Sequence, residues 1–237
     1  MNKILFHPVL VPALALLLLT HACTSREVRF QKLETAYREG DFETAYKGFL
    51  DEGERGRAEA QHYLGMMLER GEGTPADPVA AAQWYLKAAG QGHAAAQNAL
   101  GILYVTGQGV ARDPVEARKW FETAAALEYA GAYYNLGLLY YLGEGVPEDY
   151  EEAVRWIRKA ADEGIHKAQL SLSMAYLQGQ GVPQDMVSAY MWLELGASGG
   201  EPEAEAARQE LAGLLTPEQL AEAQQMAARW RSEHGAR

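Results

Sequence analysis

The amino-acid sequence predicts an all-α fold, an α/α solenoid built of helix–turn–helix repeats. When the 237-residue chain is compared with itself at a shift of 36 residues, four consecutive segments align without gaps. Within each segment, apolar residues recur at the three- and four-residue spacing of a helix face. A Gly-x-Gly sequence divides every segment into two halves. These observations predict stacked helix pairs, because one pair alone cannot bury both of its apolar faces.

The first half of each segment predicts a helix that ends at a glycine. The four halves read AQHYLGMMLERGEG, AQNALGILYVTGQG, AYYNLGLLYYLGEG and AQLSLSMAYLQGQG, starting at Ala60, Ala96, Ala132 and Ala168. Glycine adopts the left-handed conformation after a helix without steric penalty. The helices are therefore expected to end at Gly71, Gly107, Gly143 and Gly179.

The second half of each segment predicts another helix, which begins at an aspartate. An aspartate at this position caps a helix by accepting from its free backbone N–H groups. A tryptophan follows seven residues later, on the apolar face. The aspartates are Asp77, Asp113, Asp149 and Asp185, and the tryptophans are Trp84, Trp120, Trp156 and Trp192.

The repeats set the domain boundaries. Four repeats occupy residues 58–201, as 58–93, 94–129, 130–165 and 166–201. Residues 28–57 keep the register but carry Gly48 at the tryptophan position, which indicates a degenerate first helix pair. Residues 202–237 lose the period and predict a C-terminal helical cap, in which Thr216-Pro217-Glu218 starts a final helix.

The N-terminus has the composition of a signal peptide. Residues 1–22 combine Lys3 with an apolar stretch that is too short for the roughly 20 residues of a membrane-spanning helix. Cys23 follows directly, and residues 23–27 are a short linker. Because Cys23 is the only cysteine, the chain cannot form an internal disulfide.

Two resemblances add to these predictions. The pattern A-x-x-x-L-G-x-x-Y-x-x-G-x-G-V-x-x-D-x-x-x-A-x-x-W-x-x-x-A-A-x-x-G is similar to the Sel-one-like repeat (SLR), a relative of the tetratricopeptide repeat, over roughly residues 28–232. Members of that family form right-handed superhelices and act as adaptors for protein complexes, many of them in bacterial envelopes.

The sequence LTHAC around Cys23 resembles a bacterial lipobox. The resemblance implies that Cys23 is lipidated and that the protein is an outer-membrane lipoprotein facing the periplasm. The alternative is cleavage near Ala22, which leaves a free thiol and a soluble periplasmic or secreted chain.

Charge and residue types argue against several classes of function. The net charge of −11 and pI of 5.1 offer no basic stripe for nucleic acid. No histidine pair has i, i+4 spacing and no thiolates cluster, so no zinc site is expected. The Gly-x-Gly turns lack the Lys and Ser/Thr of a phosphate loop. We therefore expect no catalytic residue, no cofactor and no metal, and a protein that is not an enzyme.

What remains is a binding surface for a protein or peptide partner. In tetratricopeptide-like arrays the first helices line the concave face, so the resemblance implies a groove there. Aromatic side chains concentrate in the third repeat, and aromatics are favoured binding anchors. The predicted groove residues are His62, Glu69, Asn98, Val105, Tyr133, Tyr134, Asn135, Tyr141, Leu170 and Leu177.

The role of one row of residues and the class of function stay open at this stage. A middle row on the same helices, Met66, Ile102, Leu138 and Met174, fits either the groove or the packing between repeats. The leading interpretation is a non-catalytic, monomeric envelope scaffold. The alternatives are a cell-wall enzyme or small-ligand binder, for a β-lactam or a peptidoglycan fragment, and a secreted host-interaction factor.

Overall fold

The computed structural model of the protein describes residues 26–199 and 202–235. In this part of the chain all regular structure is helical, which confirms the predicted all-α solenoid of helix–turn–helix repeats. The predicted signal peptide and Cys23 lie outside the described residues. Residues 26 and 27, expected in a linker, already belong to the first helix.

Twelve helices are present in the described residues. They are α1 (26–38), α2 (Phe42–Glu54), α3 (Ala58–Arg70), α4 (Pro78–Gly90), α5 (Ala94–Thr106), α6 (Pro114–Ala126), α7 (Ala130–Leu142), α8 (Tyr150–Asp162), α9 (His166–Gln178), α10 (Met186–Ala197), α11 (Pro202–Ala212) and α12 (Pro217–His234).

The helices follow the repeats in pairs. The four repeats contain α3/α4, α5/α6, α7/α8 and α9/α10, while α1 and α2 form the opening pair and α11 and α12 the C-terminal segment. The chain forms two compact units that divide after Trp84, within α4.

The first glycine of each Gly-x-Gly turn ends the first helix of its repeat, as predicted. Gly71, Gly107, Gly143 and Gly179 have φ between 67° and 74°. Each donates its N–H to the carbonyl four residues earlier, for example Gly143 to Leu139.

The second glycine of the turn has a different role, which is close approach to a neighbouring helix. A Cβ on Gly145 would lie 2.6 Å from the carbonyl oxygen of Pro114, at the start of α6. A Cβ on Gly181 would overlap the carbonyl of Tyr150 in the same way, at the start of α8. These two turns therefore pack against the start of the second helix one repeat earlier, and only glycine leaves room for this contact.

The repeated aspartates cap the second helices, as predicted. Asp113 Oδ1 accepts from the backbone N–H groups of Val115 and Glu116, and Asp149 Oδ1 accepts from Glu152 at 2.9 Å. The carboxylates therefore satisfy free N–H groups at the helix N-termini and lie at the favourable end of the helix dipole.

A buried amide joins successive helix pairs. The Nε2 groups of Gln61, Gln97 and Gln169 each donate to a carbonyl near the C-terminus of the preceding helix, at 2.9–3.1 Å. All three side chains are buried. In the third repeat Tyr133 stands at this position instead.

The opening pair fills the repeat register with different side chains. The Leu33 side chain of α1 occupies the space where a Cβ of Gly48 would lie, so it takes up the room of the missing tryptophan. Glu52 stands at a position where three repeats have a fully buried alanine. It is 1% exposed and forms 2.8 Å ion pairs with Arg26 and Arg29 of α1. Burial alone would raise the pKa of Glu52, but the two guanidinium groups outweigh burial and lower it.

The C-terminal helices close the hydrophobic core of the fourth repeat. Thr216 and Gln219 form a reciprocal capping box at the start of α12. Near the end of this helix, Trp230 packs edge-on against Trp192 with ring centroids 6.2 Å apart. Ala204 and Leu211 of α11 and Ala223 and Ala227 of α12 belong to the same hydrophobic core as α9 and α10. Within the described residues, no helix combines the length and apolar character required to cross a bilayer.

Candidate partner-binding face

The first helices of the second unit present an apolar surface, which we call the first-helix face. Ile102 of α5, Tyr141 of α7 and Met174 of α9 are 38%, 37% and 40% exposed, and Leu138 is half-buried between them. The side chains of the middle row are therefore not fully buried between the repeats. Ile102 and Met174 are exposed and Leu138 is half-buried, so this row contributes to the surface, although the sequence left its role open.

Hydrogen bonds tie the polar residues of this face together across repeats. Asn135 Nδ2 donates to Asn98 Oδ1 at 2.7 Å, which links α7 to α5. The hydroxyl groups of Tyr134 and Ser171 lie 3.4 Å apart, which links α7 to α9. Asn98 is 8% exposed, so its principal contact is this internal amide pair.

Tyr141 has the geometry expected of a surface anchor. Its hydroxyl donates to Gln180 Oε1 at 3.2 Å, and its ring packs edge-on against Tyr150 at 5.2 Å. The carboxylate of Glu148, followed by burial, raises the pKa of Tyr150. These contacts restrict the orientation of both rings.

Tyr133 lies elsewhere. Its ring stacks on Trp156 at 5.9 Å, with Lys159 Nζ 4.3 Å from the Trp156 ring. Burial, with the carboxylates of Glu128 and Glu163, raises its pKa. Tyr133 therefore packs α7 against α8. The alignment of the repeats could have predicted this position, because the other three repeats have a glutamine there, and all three glutamines are buried.

The remaining predicted groove residues differ in exposure. In the first unit, His62 is half-buried with its ring 6.2 Å from that of Tyr63, and Glu69 is exposed. In the second unit, Val105, Leu170 and Leu177 are half-buried and pack partly against the hydrophobic core.

A cavity of about 360 Å³ lies between the third and fourth repeats, and we call it the large cavity. Tyr141 and Met174 belong both to this cavity and to the first-helix face. Among the described residues, none of those that line the cavity is charged. They are Leu138, Tyr141, Tyr150, Val154, Ile157, Leu170, Ser171, Met174, Ala175, Gln178 and Gln180.

The same place one repeat earlier holds a cavity of about 140 Å³, which we call the small cavity. Ile102, Val105, Phe121 and Asn135 of the small cavity correspond in register to Leu138, Tyr141, Ile157 and Ser171 of the large one. Sequence reasoning selected Tyr141 and Leu170 but missed Tyr150, Ala175 and Gln180. Ala175 could have been noticed in the sequence, because it is much smaller than the equivalent residues of the other repeats, Met67, Leu103 and Leu139.

Two of the histidines share a cavity, and another caps a helix. Nδ1 of His93 accepts from the backbone N–H of Ala96 and caps α5. His166 and His234 line another cavity, of about 280 Å³, beside Trp230. In the part of the chain that the structure describes, no three His, Cys, Asp or Glu side chains are grouped as a metal site requires.

Stacked helix pairs with a shared register and an open first-helix face define a tetratricopeptide-like helical repeat protein. The sequence model of the Sel1 repeat family matches residues 58–93, 94–129, 130–165 and 166–201. Because these matches cover more than half of the chain, the protein belongs to the Sel1 repeat family. This fold is commonly a scaffold for protein interactions.

Solved structures agree with this assignment. A Sel1 repeat protein from Oxalobacter formigenes is 33% identical, with a TM-score of 0.65 over 76% of this chain and 74% of that one. A protective antigen present in uropathogenic Escherichia coli strains, which displays an SLR fold, is 28% identical with a TM-score of 0.53. That match covers 81% of this chain and 49% of the Escherichia coli protein, so this chain spans about half of its length. No curated protein matches the sequence at a significant level.

Proposed function

We propose that this protein is a non-catalytic scaffold of the bacterial cell envelope that binds a protein or peptide partner through the first-helix face. The observation that carries the proposal is the apolar surface formed by Ile102, Leu138, Tyr141 and Met174. A row of large apolar side chains that spans three repeats and is rimmed by amides and hydroxyls is typical of an interaction site.

The chemistry of the face supports a neutral, extended partner. Tyr141 provides apolar area with a polar tip, and Tyr134, Asn135 and Ser171 place hydroxyl and amide groups beside it. Such groups can exchange their mutual hydrogen bonds for bonds to a peptide backbone without leaving a polar atom buried and unpaired. Binding through preorganised side chains of this kind needs no residue that reacts.

Photo-crosslinking in intact cells tests the proposed face. A photoreactive residue at position 142, where Leu142 is 59% exposed at the end of α7, is expected to crosslink a defined protein. The matched control is position 155 on α8, where the Arg155 side chain is 69% exposed. Equal crosslinking from both positions, or none from position 142, would contradict binding through the first helices.

The envelope location rests on the resemblance of LTHAC to a lipobox and is tested separately. We expect labelled palmitate to be incorporated into the protein and lost in a Cys23→Ala variant. Fractionation is expected to place the labelled protein in the outer membrane and the variant in the soluble fraction. Label that persisted in Cys23→Ala would rule out the lipid anchor, while the binding proposal would stand.

A further inference from the structure

The large and small cavities are the same feature of the repeat, built with different side chains. Ala175 stands in the large cavity where the small one has Leu139, so a shorter side chain leaves room. Val154 replaces Arg118 at the corresponding position of the second helix, which adds an apolar wall. Ile157 also stands in place of the larger Phe121, and the volume is about 360 Å³ in the large cavity against about 140 Å³ in the small one.

The enlargement carries a cost that the other repeats avoid. Positions 67, 103 and 139 hold large residues that are 0%, 1% and 3% exposed, which fill the space between neighbouring helices. Replacing such a residue with alanine ordinarily destabilises a core through the cavity that remains. An alanine at position 175 therefore leaves apolar surface uncovered at one place in the array, directly beneath the first-helix face.

The lining specifies the kind of group that fits. The cavity lies at the lower end of the roughly 300–1,000 Å³ range of ligand sites. Its walls are aliphatic side chains and the rings of Tyr141 and Tyr150, and its polar groups are neutral hydroxyls and amides. A carboxylate group placed there would lose its hydration without an opposite charge to pair with. The protein carries a net charge of −11, so the neutrality of this lining is a local property.

From this geometry, and on the basis of the proposed function above, we propose that the large cavity binds one uncharged aromatic side chain of the partner peptide. Tyr141 and Tyr150 already pack edge-on at 5.2 Å, and a third ring between them and Met174 gains further edge-to-face and sulfur–aromatic contacts. Ser171 lines the cavity and the Tyr134 hydroxyl lies 3.4 Å from its hydroxyl, so these two groups contact the peptide backbone beside the anchor.

Peptide titrations monitored at Met174 test this proposal directly. The probes are four blocked pentapeptides, Gly-Gly-X-Gly-Gly, with Phe, Ala, Glu or Lys as X, and the signal is the Met174 methyl resonance of the purified protein. We expect the Phe peptide to shift this resonance with an affinity at least tenfold higher than the other three. Equal affinity for all four peptides overturns the proposal. Indole alone binding as tightly as the Phe peptide also overturns it, in favour of a small-molecule site.

Two variants connect the binding to the cavity. Ala175→Leu restores the residue found at position 139 and is expected to weaken binding of the Phe peptide at least tenfold while the protein remains folded by circular dichroism. Leu139→Ala opens the small cavity and is the matched control, in which binding at Met174 stays within about twofold of the parent. Unchanged binding in Ala175→Leu contradicts the assignment.

The two proposals fail in distinguishable ways. If a partner crosslinks to position 142 equally in the parent and in Ala175→Leu, the aromatic pocket is wrong and the binding face stands. If the Phe peptide occupies the cavity but no protein crosslinks from position 142, the pocket stands and the scaffold function is wrong.

Discussion

The opening helix pair and the regular repeats use one register with different side chains. Where the repeats have tryptophan, the opening pair has Gly48, and Leu33 of α1 fills the space. Where three repeats have a fully buried alanine, the opening pair has Glu52, neutralised by Arg26 and Arg29. The aspartate cap is retained, because Asp41 accepts from the N–H of Thr44. The comparison shows that residues required by the backbone, such as the aspartate cap, recur in the opening pair and in all four repeats. The side chains that fill the space between helices differ from pair to pair.

The largest expected effect on stability comes from replacing a glycine of a Gly-x-Gly turn. Gly181→Ala places a Cβ against the carbonyl of Tyr150 at a positive φ of 69°, and we expect a loss of about 2–5 kcal/mol in the free energy of unfolding. Chemical denaturation measures this loss. The control is Gly164→Ala, where φ is 81° but no atom lies within 4 Å, so only the backbone cost of about 1–2 kcal/mol is expected. Equal losses in both variants would refute the role of close approach.

A smaller effect is expected from the exchanged position in the opening pair. Glu52→Gln keeps the side-chain shape but removes the charge from two ion pairs, at a cost of about 1.5–3 kcal/mol at neutral pH. Because the folded protein lowers the pKa of Glu52 below its ordinary 4.5, this stabilisation is complete above that pH and is lost as the pH falls below it. Thermal unfolding of both proteins at pH 7 and pH 3 should therefore show a difference that shrinks in acid. A constant difference would show that the ion pairs do not contribute.

The smallest expected effect concerns the shared cap. Asp149→Ala removes the acceptor for the Glu152 N–H and should cost about 1 kcal/mol, and Asp41→Ala should cost a similar amount in the opening pair. Denaturation midpoints check both variants. Asp149→Asn, which retains an accepting oxygen, is expected to recover most of the loss. A cap needed only in the regular repeats would appear as a loss confined to Asp149→Ala.

The residues that lie on the first-helix face were predicted in part. The register located Tyr134, Asn135 and Tyr141 on the first helices, because a helix face can be read from spacing alone. It also grouped Tyr133 with them, although this ring lies against Trp156. Adjacent residues on a helix point about 100° apart, and here Tyr133 contacts Trp156 of α8 whereas Tyr134 contacts Ser171 of α9. Comparing Tyr133 with Gln61, Gln97 and Gln169 would have separated the two tyrosines.

The sequence by itself determined the repeat period, the glycine turns, the aspartate caps and the helical class. These features depend on interactions between residues close in sequence, and the glycines and aspartates recur in all four repeats. Only the tertiary structure decided that Ala175 opens a cavity and that Leu33 replaces a missing tryptophan. Those outcomes depend on side chains from three helices or from elements 15 or more residues apart, whose meeting is set by packing rather than by local preference.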